Sequence, residues 1–164
     1  MSIEPTNPGD DAPTKFWETL RLDQMSRAQW ESLCDGCGRC CLIKLEDEDT
    51  GQYYWTNVAC RALDCTNGGC TAYQNRKQVV PECIILTPEN LEEEQVFLPD
   101  SCAYKRLHHG KALPNWHPLI TGDPSSVVDA DISVAEKCLS EDHVHDEDLP
   151  NFIVDWDQDN GERR

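Results

Sequence analysis

Apolar residues in this chain fall in short clusters, and each cluster predicts a short helix or a short strand. Ser26 and Gln29 form a capping-box pattern, which predicts a helix over residues 26–33 that runs directly into the next segment. The aromatic and branched run at 52–58 is flanked by turn-forming residues and predicts a strand.

Two further helices are predicted between residues 87 and 110. The Thr-Pro-Glu sequence at 87–89 combines a hydroxyl cap, a proline in the first turn and an acid, so it predicts a helix that ends before Pro99. Ser101 then predicts the cap of a helix over 102–109, with Gly110 as its left-handed terminator.

The segments between these elements predict loops and mobile ends. Residues 44–51 are acidic and predict a solvated turn, and residues 114–124 are too rich in proline and glycine for regular structure. We expect a disordered tail at 1–13 and a frayed acidic end at 157–164. The remainder, 14–156, predicts one α+β domain of short helices and a minor antiparallel sheet, organised around a cysteine centre.

Composition limits the environment and the partners of the chain. Hydrophobic residues make up 38% of the sequence and include ten cysteines, so cross-links of some kind are expected to assist a thin core. The net charge of −17 argues against nucleic acid and anionic membranes as partners. No secretory leader and no apolar run of about 18 residues is visible. These features predict a cytoplasmic protein, where such cysteines bind metal more often than they form disulfides.

Potential metal ligands are most closely spaced at residues 34–41. Four cysteines fall in the spacing C-x-x-C-x-x-C-C, namely Cys34, Cys37, Cys40 and Cys41. Gly36 and Gly38 lie among them, as expected where backbone wraps around a metal and leaves amides free to face sulfur. The same glycines also fit a simple helix end.

Spacing along the chain alone suggests two quartets of metal-ligating cysteines. The first is Cys34, Cys37, Cys40 and Cys41, and the second is Cys60, Cys70, Cys83 and Cys102. Adjacent side chains such as Cys40 and Cys41 diverge, so we expect one of them to face a second site. A C-x-x-C-x-x-C run is the local cradle of ferredoxin-type clusters, whereas zinc prefers paired knuckles. The spacing therefore favours an iron–sulfur cluster slightly over zinc.

Other candidate ligands carry weaker signals. Cys65 lies inside a glycine-containing loop and is either a ligand or a bystander, and Cys138 stands alone among acids and predicts an unliganded thiol. His117 fits a ligand or a packed structural histidine. The histidines at 108–109 fall at a predicted helix C-terminus, where an imidazole suits the dipole.

Five motifs in order resemble those of a known family. They are Cys34-Asp-Gly-Cys37-Gly-Arg-Cys40-Cys41, Asn57-Val-Ala-Cys60-Arg61, Glu82-Cys83-Ile84, Ser101-Cys102-Ala-Tyr104 and Leu113-Pro-Asn-Trp116-His117-Pro-Leu119. Together, over roughly residues 15–157, they resemble the bacterial YcgN family of the CxxCxxCC superfamily. The members of this superfamily are described as zinc- or iron-chelating domains. The resemblance implies a metal-ligand set of Cys34, Cys37, Cys40, Cys41, Cys60, Cys70, Cys83 and Cys102. Cys65 and Cys138 lie outside that set.

Three classes of function follow from these patterns. A non-catalytic metal-binding protein fits a thiol-rich chain without a visible catalytic partner set. An iron–sulfur enzyme of redox or group transfer is the second, because flagellin lysine methylases carry a related cysteine cluster. An acidic interaction adaptor with a structural metal is the third, in which the acidic face or the aromatic run at 53–55 docks an unknown protein. The sequence contains no dinucleotide loop, phosphate loop, nucleophile elbow or H-E-x-x-H motif, which shifts the balance away from an enzyme.

Overall fold

Seven short helices and three strands form the regular structure of residues 15–156, the part of the chain that this computed structural model describes. The helices are α1 (Phe16–Thr19), α2 (Arg27–Ser32), α3 (Arg76–Val79), α4 (Leu91–Glu94), α5 (Ala103–His108), α6 (Pro118–Thr121) and α7 (Ser126–Asp129), and the strands are β1 (Leu42–Glu46), β2 (Tyr53–Ala59) and β3 (Leu139–Ser140). Short 3-10 helices join several of them, and the longest spans Asp146–Phe152. The expected tail at 1–13 and the frayed end at 157–164 lie outside the described residues.

The sheet confirms the α+β class and adds a feature that was not predicted. β1 and β2 pair antiparallel, with Leu42 opposite Ala59 and Glu46 opposite Tyr53. β3 pairs with β2 in the parallel sense, so the sheet is mixed and not antiparallel throughout. Because β3 comes from a separate segment about 80 residues further along the chain, no hairpin turn fixes its direction.

Helix α2 confirms the capping-box prediction. Ser26 Oγ accepts a hydrogen bond from Gln29 N at 3.1 Å, and Gln29 Oε1 accepts one from Ser26 N at 2.9 Å. Trp30 faces the core and Leu33, which is completely buried, follows the last turn. The helix therefore delivers the chain from a fixed position into the cysteine stretch.

The two helices predicted between 87 and 110 begin later than expected. Thr87 and Asn90 exchange hydrogen bonds between their side chains and backbone amides, at 2.8 and 3.2 Å, so the turn closes before α4 starts. Cys102 and not Ser101 occupies the N-cap of α5, and Gly110 follows that helix in the left-handed region at φ +71°.

Two predicted loops also contain regular structure. Residues 44–46 belong to β1, and the turn begins only at Asp47, whose carboxylate accepts amide hydrogen bonds at 2.8 and 3.1 Å. Within 114–124, His117 caps the single-turn helix α6 through its own ring nitrogen. In both places a side chain bonds the local backbone, and such bonds let short elements form in a sequence dominated by turn residues.

Three small hydrophobic clusters replace a single large core. The first contains Trp17, Trp30, Leu33, Leu91, Leu98, Ala103, Tyr104 and Leu113; the second contains Leu42, Ala59, Leu63, Val134 and Trp156; the third contains Cys37, Trp116, Val127 and Ile132. Leu33, Cys37 and Leu42 each belong to a different cluster, so the stretch 33–42 connects all three. In the described residues, no helix has the length and apolar character needed to cross a membrane.

Candidate metal centre

The turn from Cys34 to Cys41 is shaped by one carboxylate and two glycines. Asp35 Oδ1 accepts a hydrogen bond from Cys37 N at 2.9 Å and closes the first bend. Gly36 and Gly38 both have positive φ, +75° and +79°, which side chains other than glycine rarely adopt. A Cβ on Gly38 would lie only 2.6 Å from Val134 Cγ2, whereas one on Gly36 would meet nothing within 4 Å. Gly38 is therefore required for close packing as well as for the turn.

Backbone amides face the sulfur atoms of several of these cysteines. Arg39 N donates to Cys37 Sγ and Ala62 N donates to Cys60 Sγ, both at 3.5 Å. The donor lies two residues after the cysteine in both cases. Amides placed in this way stabilise a thiolate, because they offer partial positive charge to the sulfur.

The same arrangement recurs at two more positions. Loss of hydration is the largest influence on Cys34 and Cys102 and raises both pKa values, whereas the amide of Gly36 lowers the pKa of Cys34 and the amides of Lys105 and Tyr104 lower that of Cys102. Amide donors therefore accompany the cysteines of the turn and also the distant Cys102. Hydrogen bonds to sulfur are a regular feature of iron–sulfur and zinc thiolate sites.

One group of thiols gathers around the turn and the start of α5. Burial raises the pKa of Cys37 well above its usual value, and the charges of Asp35, Cys40 and Cys102 add to the rise. Cys34 is exposed at the surface, but the protein atoms around its thiol displace water and raise its pKa to about 12, with the charge of Cys40 as the next contributor. These four cysteines are therefore electrostatic neighbours.

A second group gathers around Cys41. The pKa of Cys41 is raised by its hydrogen bond to Cys40, by burial, and by the charges of Cys60 and Cys70. Burial raises the pKa of Cys83, and Cys60, Cys40 and Cys70 contribute to the same shift. Cys41 thus faces the cysteines contributed by the later loops.

Cys40 lies between the two groups, and its side chain is exposed. A hydrogen bond from Cys41 and the charge of Lys44 outweigh the effect of the surrounding protein atoms, which displace water from the thiol, and lower the pKa of Cys40 to about 7. Lys44 Nζ donates to the carbonyl oxygen of Cys40 at 2.8 Å and lies 4.3 Å from the centre of the Trp55 ring. A fixed cation therefore partly offsets the negative charge of the thiolates.

A cavity of about 370 Å³ opens beside the second group. Its walls include four cysteines, Cys40, Cys41, Cys60 and Cys83, together with the charged residues Arg61, Glu82 and Glu141. Within residues 15–156 no three cysteine, histidine, aspartate or glutamate side chains converge in the geometry of a metal site. All ten cysteines are free thiols. The donor set fits zinc or iron by its chemistry, since soft thiolates with amide donors select these metals.

Histidine takes a structural position in this arrangement. His117 is completely buried; its Nε2 lies 2.9 Å from the carbonyl oxygen of Leu33, and its Nδ1 accepts from Leu119 N at 3.0 Å. Both ring nitrogens are occupied, which supports the packed alternative over the ligand. His108 pairs with Glu92, and His109 Nε2 lies 2.6 Å from Gln95 Oε1.

Sequence reasoning missed one residue of the cysteine stretch. Arg39 is fully buried, and its Nε donates to the carbonyl oxygen of Ile132 at 2.9 Å. The available signal was the presence of an always-charged side chain within a turn that is otherwise cysteine, glycine and aspartate. A cation in that position predicts a buried acceptor nearby.

The fold and these thiol groups define a cysteine-cluster protein, and comparison with known proteins identifies the family. The CxxCxxCC family model, described as "Putative zinc- or iron-chelating domain", matches residues 33–103. A UPF0260 protein of Parvibaculum lavamentivorans is 52% identical over 146 residues, which cover 89% of this chain and 95% of the relative. UPF0260 proteins of Rhizorhabdus wittichii (56% identical over 140 residues, covering 85% of this chain and 94% of the relative) and Cellvibrio japonicus (52% over 141 residues, covering 86% and 95%) are similar to a comparable extent.

The chain belongs to the UPF0260 family of CxxCxxCC proteins. The family resemblance drawn from the five motifs is therefore confirmed, and metal binding is the activity that the family description supports. The matched region, 33–103, contains the eight cysteines of the expected ligand set and also Cys65, but not Cys138. No solved structure matches the chain.

Proposed function

We propose that this protein binds two metal centres through its eight family cysteines. The first is formed by Cys34, Cys37, Cys40 and Cys102, and the second by Cys41, Cys60, Cys70 and Cys83. The observation that carries the proposal is the electrostatic grouping of the thiols, in which Cys102 neighbours Cys37 and Cys41 neighbours Cys60 and Cys70. Relative to the quartets drawn from spacing, Cys41 and Cys102 exchange places.

The first centre suits an iron–sulfur cluster. Three of its ligands come from a C-x-x-C-x-x-C run and the fourth from a distant segment, which is the ligand pattern of ferredoxin-type clusters. The amides of Gly36, Arg39 and Tyr104 face three of these sulfurs and would support the thiolates of a bound cluster. When bound, the cluster supplies electron storage or a rigid cross-link.

The second centre suits either zinc or iron. Its four cysteines come from four different segments and include no C-x-x-C pair, so spacing does not favour one metal there. The four sulfurs would tie the end of the Cys34–Cys41 turn to the loops that follow β2. Such a centre is expected to contribute directly to the stability of the fold.

A non-catalytic role is the function that these features support best, in a reducing compartment such as the cytoplasm. One observation favours an iron–sulfur enzyme as the second candidate. The cavity beside Cys41 is large enough for a small molecule and brings Arg61, Glu82 and Glu141 next to the thiols. Turnover would require a substrate in that cavity.

Metal and sulfide analysis of anaerobically purified variants tests the two-centre proposal. Cys34→Ser and Cys102→Ser should each lose the same centre, and combining them should cause no further loss. Combining Cys102→Ser with Cys83→Ser should remove both centres. Cys138→Ser is the matched control and should keep the wild-type metal content.

Two results would overturn the proposal. One is wild-type protein without bound metal after anaerobic purification. The other is loss of a single shared centre in both Cys102→Ser and Cys83→Ser, which would contradict the partition. For the enzyme alternative, a visible spectrum unchanged by dithionite at both centres would exclude redox chemistry there.

A further inference from the structure

The two cysteines outside the eight lie side by side in the folded chain. Cys138 Sγ donates to Cys65 Sγ at 3.1 Å, although 73 positions separate the residues. An S–S bond is about 2.05 Å long, so the sulfurs need to approach by only about 1 Å to become bonded. Both residues are half-buried, which leaves the pair accessible to small reagents.

Backbone contacts hold the two segments together without help from the thiols. Glu136 N donates to the carbonyl oxygen of Cys65 at 2.7 Å, and Glu136 adopts a left-handed φ of +62° to do so. A Cβ on Gly68 would lie 3.0 Å from Ser133 Oγ and 3.3 Å from Ala135 Cβ, so the Cys65 loop packs tightly on the segment before Cys138. The sulfur–sulfur contact is therefore a product of the fold.

Each thiol is also anchored on its other side. Asp64, directly before Cys65, accepts from Thr66 N at 2.9 Å and donates its own amide to Gly69 O at 2.8 Å. Cys138 immediately precedes β3, which pairs with β2. Neither sulfur needs a backbone rearrangement to stay near the other.

We propose that Cys65 and Cys138 form a redox-sensitive dithiol that closes an intramolecular disulfide. The oxidant is a small-molecule disulfide of the glutathione type. Cys65 attacks one sulfur of the reagent as a thiolate, giving a mixed disulfide and the first free thiol. Cys138 then attacks Cys65 and releases the second thiol, so two electrons and two protons pass from the protein to the reagent.

Formation of the disulfide would affect the cysteine stretch at 34–41 through residues 132–134, which lie just before Cys138. Val134 N donates to the carbonyl oxygen of Cys37 at 2.9 Å, and Ile132 accepts from Arg39. A disulfide at Cys138 fixes this segment against the Cys65 loop and thereby the turn that it supports. Burial and the contact with Cys65 raise the pKa of Cys138 to about 12, which slows closure near neutral pH.

Redox titration of the full-length, metal-loaded protein tests the proposal. The protein is equilibrated anaerobically in glutathione buffers of increasing oxidised fraction, acid-quenched, alkylated and digested with trypsin. We expect a cross-link between peptides 62–76 and 138–163 with two hydrogens missing, and fragmentation between Cys65 and Cys70 assigns the partner. Metal content should be unchanged, and the oxidised form should melt roughly 5–10 °C higher.

The matched variants are Cys65→Ser and Cys138→Ser. Each should abolish both the cross-link and the rise in melting temperature while retaining the wild-type metal content. Oxidation that instead joins Cys138 to Cys70, releases metal, or stops at a glutathione adduct on Cys65 would overturn the proposal. Since the wild-type cross-link is measured directly, a variant that fails to fold does not affect the outcome.

Discussion

The guanidinium of Arg39 donates to the carbonyl oxygen of Trp156 at 3.2 Å and lies 5.2 Å from the centre of its indole ring. The two residues are 117 positions apart. Trp156 Nε1 in turn donates to the carbonyl oxygen of Thr56 in β2 at 3.1 Å. A single buried cation within the cysteine turn therefore anchors the end of the described chain to the sheet.

Arg39→Met should destabilise the protein by about 2–4 kcal/mol. Methionine preserves much of the volume but removes the donors to Ile132 and Trp156, and each buried carbonyl left unpaired costs about 1–3 kcal/mol. Urea unfolding followed by tryptophan fluorescence measures the change. Arg27→Met, at an exposed position of α2, is the control and should stay within about 0.5 kcal/mol of wild type. An unchanged urea midpoint for Arg39→Met would show that this anchor contributes little.

Gly38→Ala should be far more damaging than Gly36→Ala. Both substitutions force alanine into positive φ, at a cost of about 1 kcal/mol, but only the Cβ at Gly38 collides with Val134. We expect an additional loss of roughly 1–3 kcal/mol at Gly38 from overpacking. Chemical denaturation of the two variants isolates this steric part, because the backbone strain is common to both. Equal destabilisation would mean that Val134 yields at little cost.

His117→Leu should reduce stability and leave the bound metal in place. The substitution removes the hydrogen bonds to Leu33 and Leu119 inside the fold, which should cost about 1–3 kcal/mol. Thermal unfolding and metal analysis are measured on the same sample. His143→Leu, at an exposed position, should change neither quantity. Loss of metal from a folded His117→Leu protein would identify the imidazole as a ligand after all.

Metal removal and Cys37→Ser should have the same effect on the fold. Cys37 is buried within the third hydrophobic cluster and is also a proposed ligand, so losing its bond to metal removes a cross-link from the core. We expect both the chelator-treated protein and Cys37→Ser to lose cooperative thermal unfolding. Circular dichroism melts test this, with Cys138→Ser as the control. A wild-type melt for Cys37→Ser would place the metal at the periphery.

The sequence predicted correctly those helices and strands that are determined by residues within the element itself. The Ser26–Gln29 capping box and the aromatic run of β2 lie within single elements, and both elements form where they were predicted. β3 was not predictable, because its two residues are a strand only through pairing with Val58 and Ala59. The same limit applies to α5, where Cys102 takes the cap that the hydroxyl of Ser101 was expected to provide.

The eight-cysteine ligand set, drawn from residue type, spacing and the family resemblance, stays a prediction, and its arrangement could not be read from spacing. The grouping of Cys41 with Cys60 and Cys70 depends on how distant loops pack. The contact between Cys65 and Cys138 likewise follows from packing across 73 positions. The spacing of cysteines along a chain predicts which of them lie together only when they belong to the same short loop.

The three hydrophobic clusters share no buried residue, and each has one member at residues 33–42. Each cluster is too small to fold independently, so the segments that join them set how cooperatively the fold melts. Residues 33–42 are one such segment, and residues 113–134, which also contain a member of each cluster, are a second. An event that stiffens the cysteine stretch therefore strengthens one of two covalent links among the α2 side, the sheet and the 116–132 region, and an event that loosens it weakens that link.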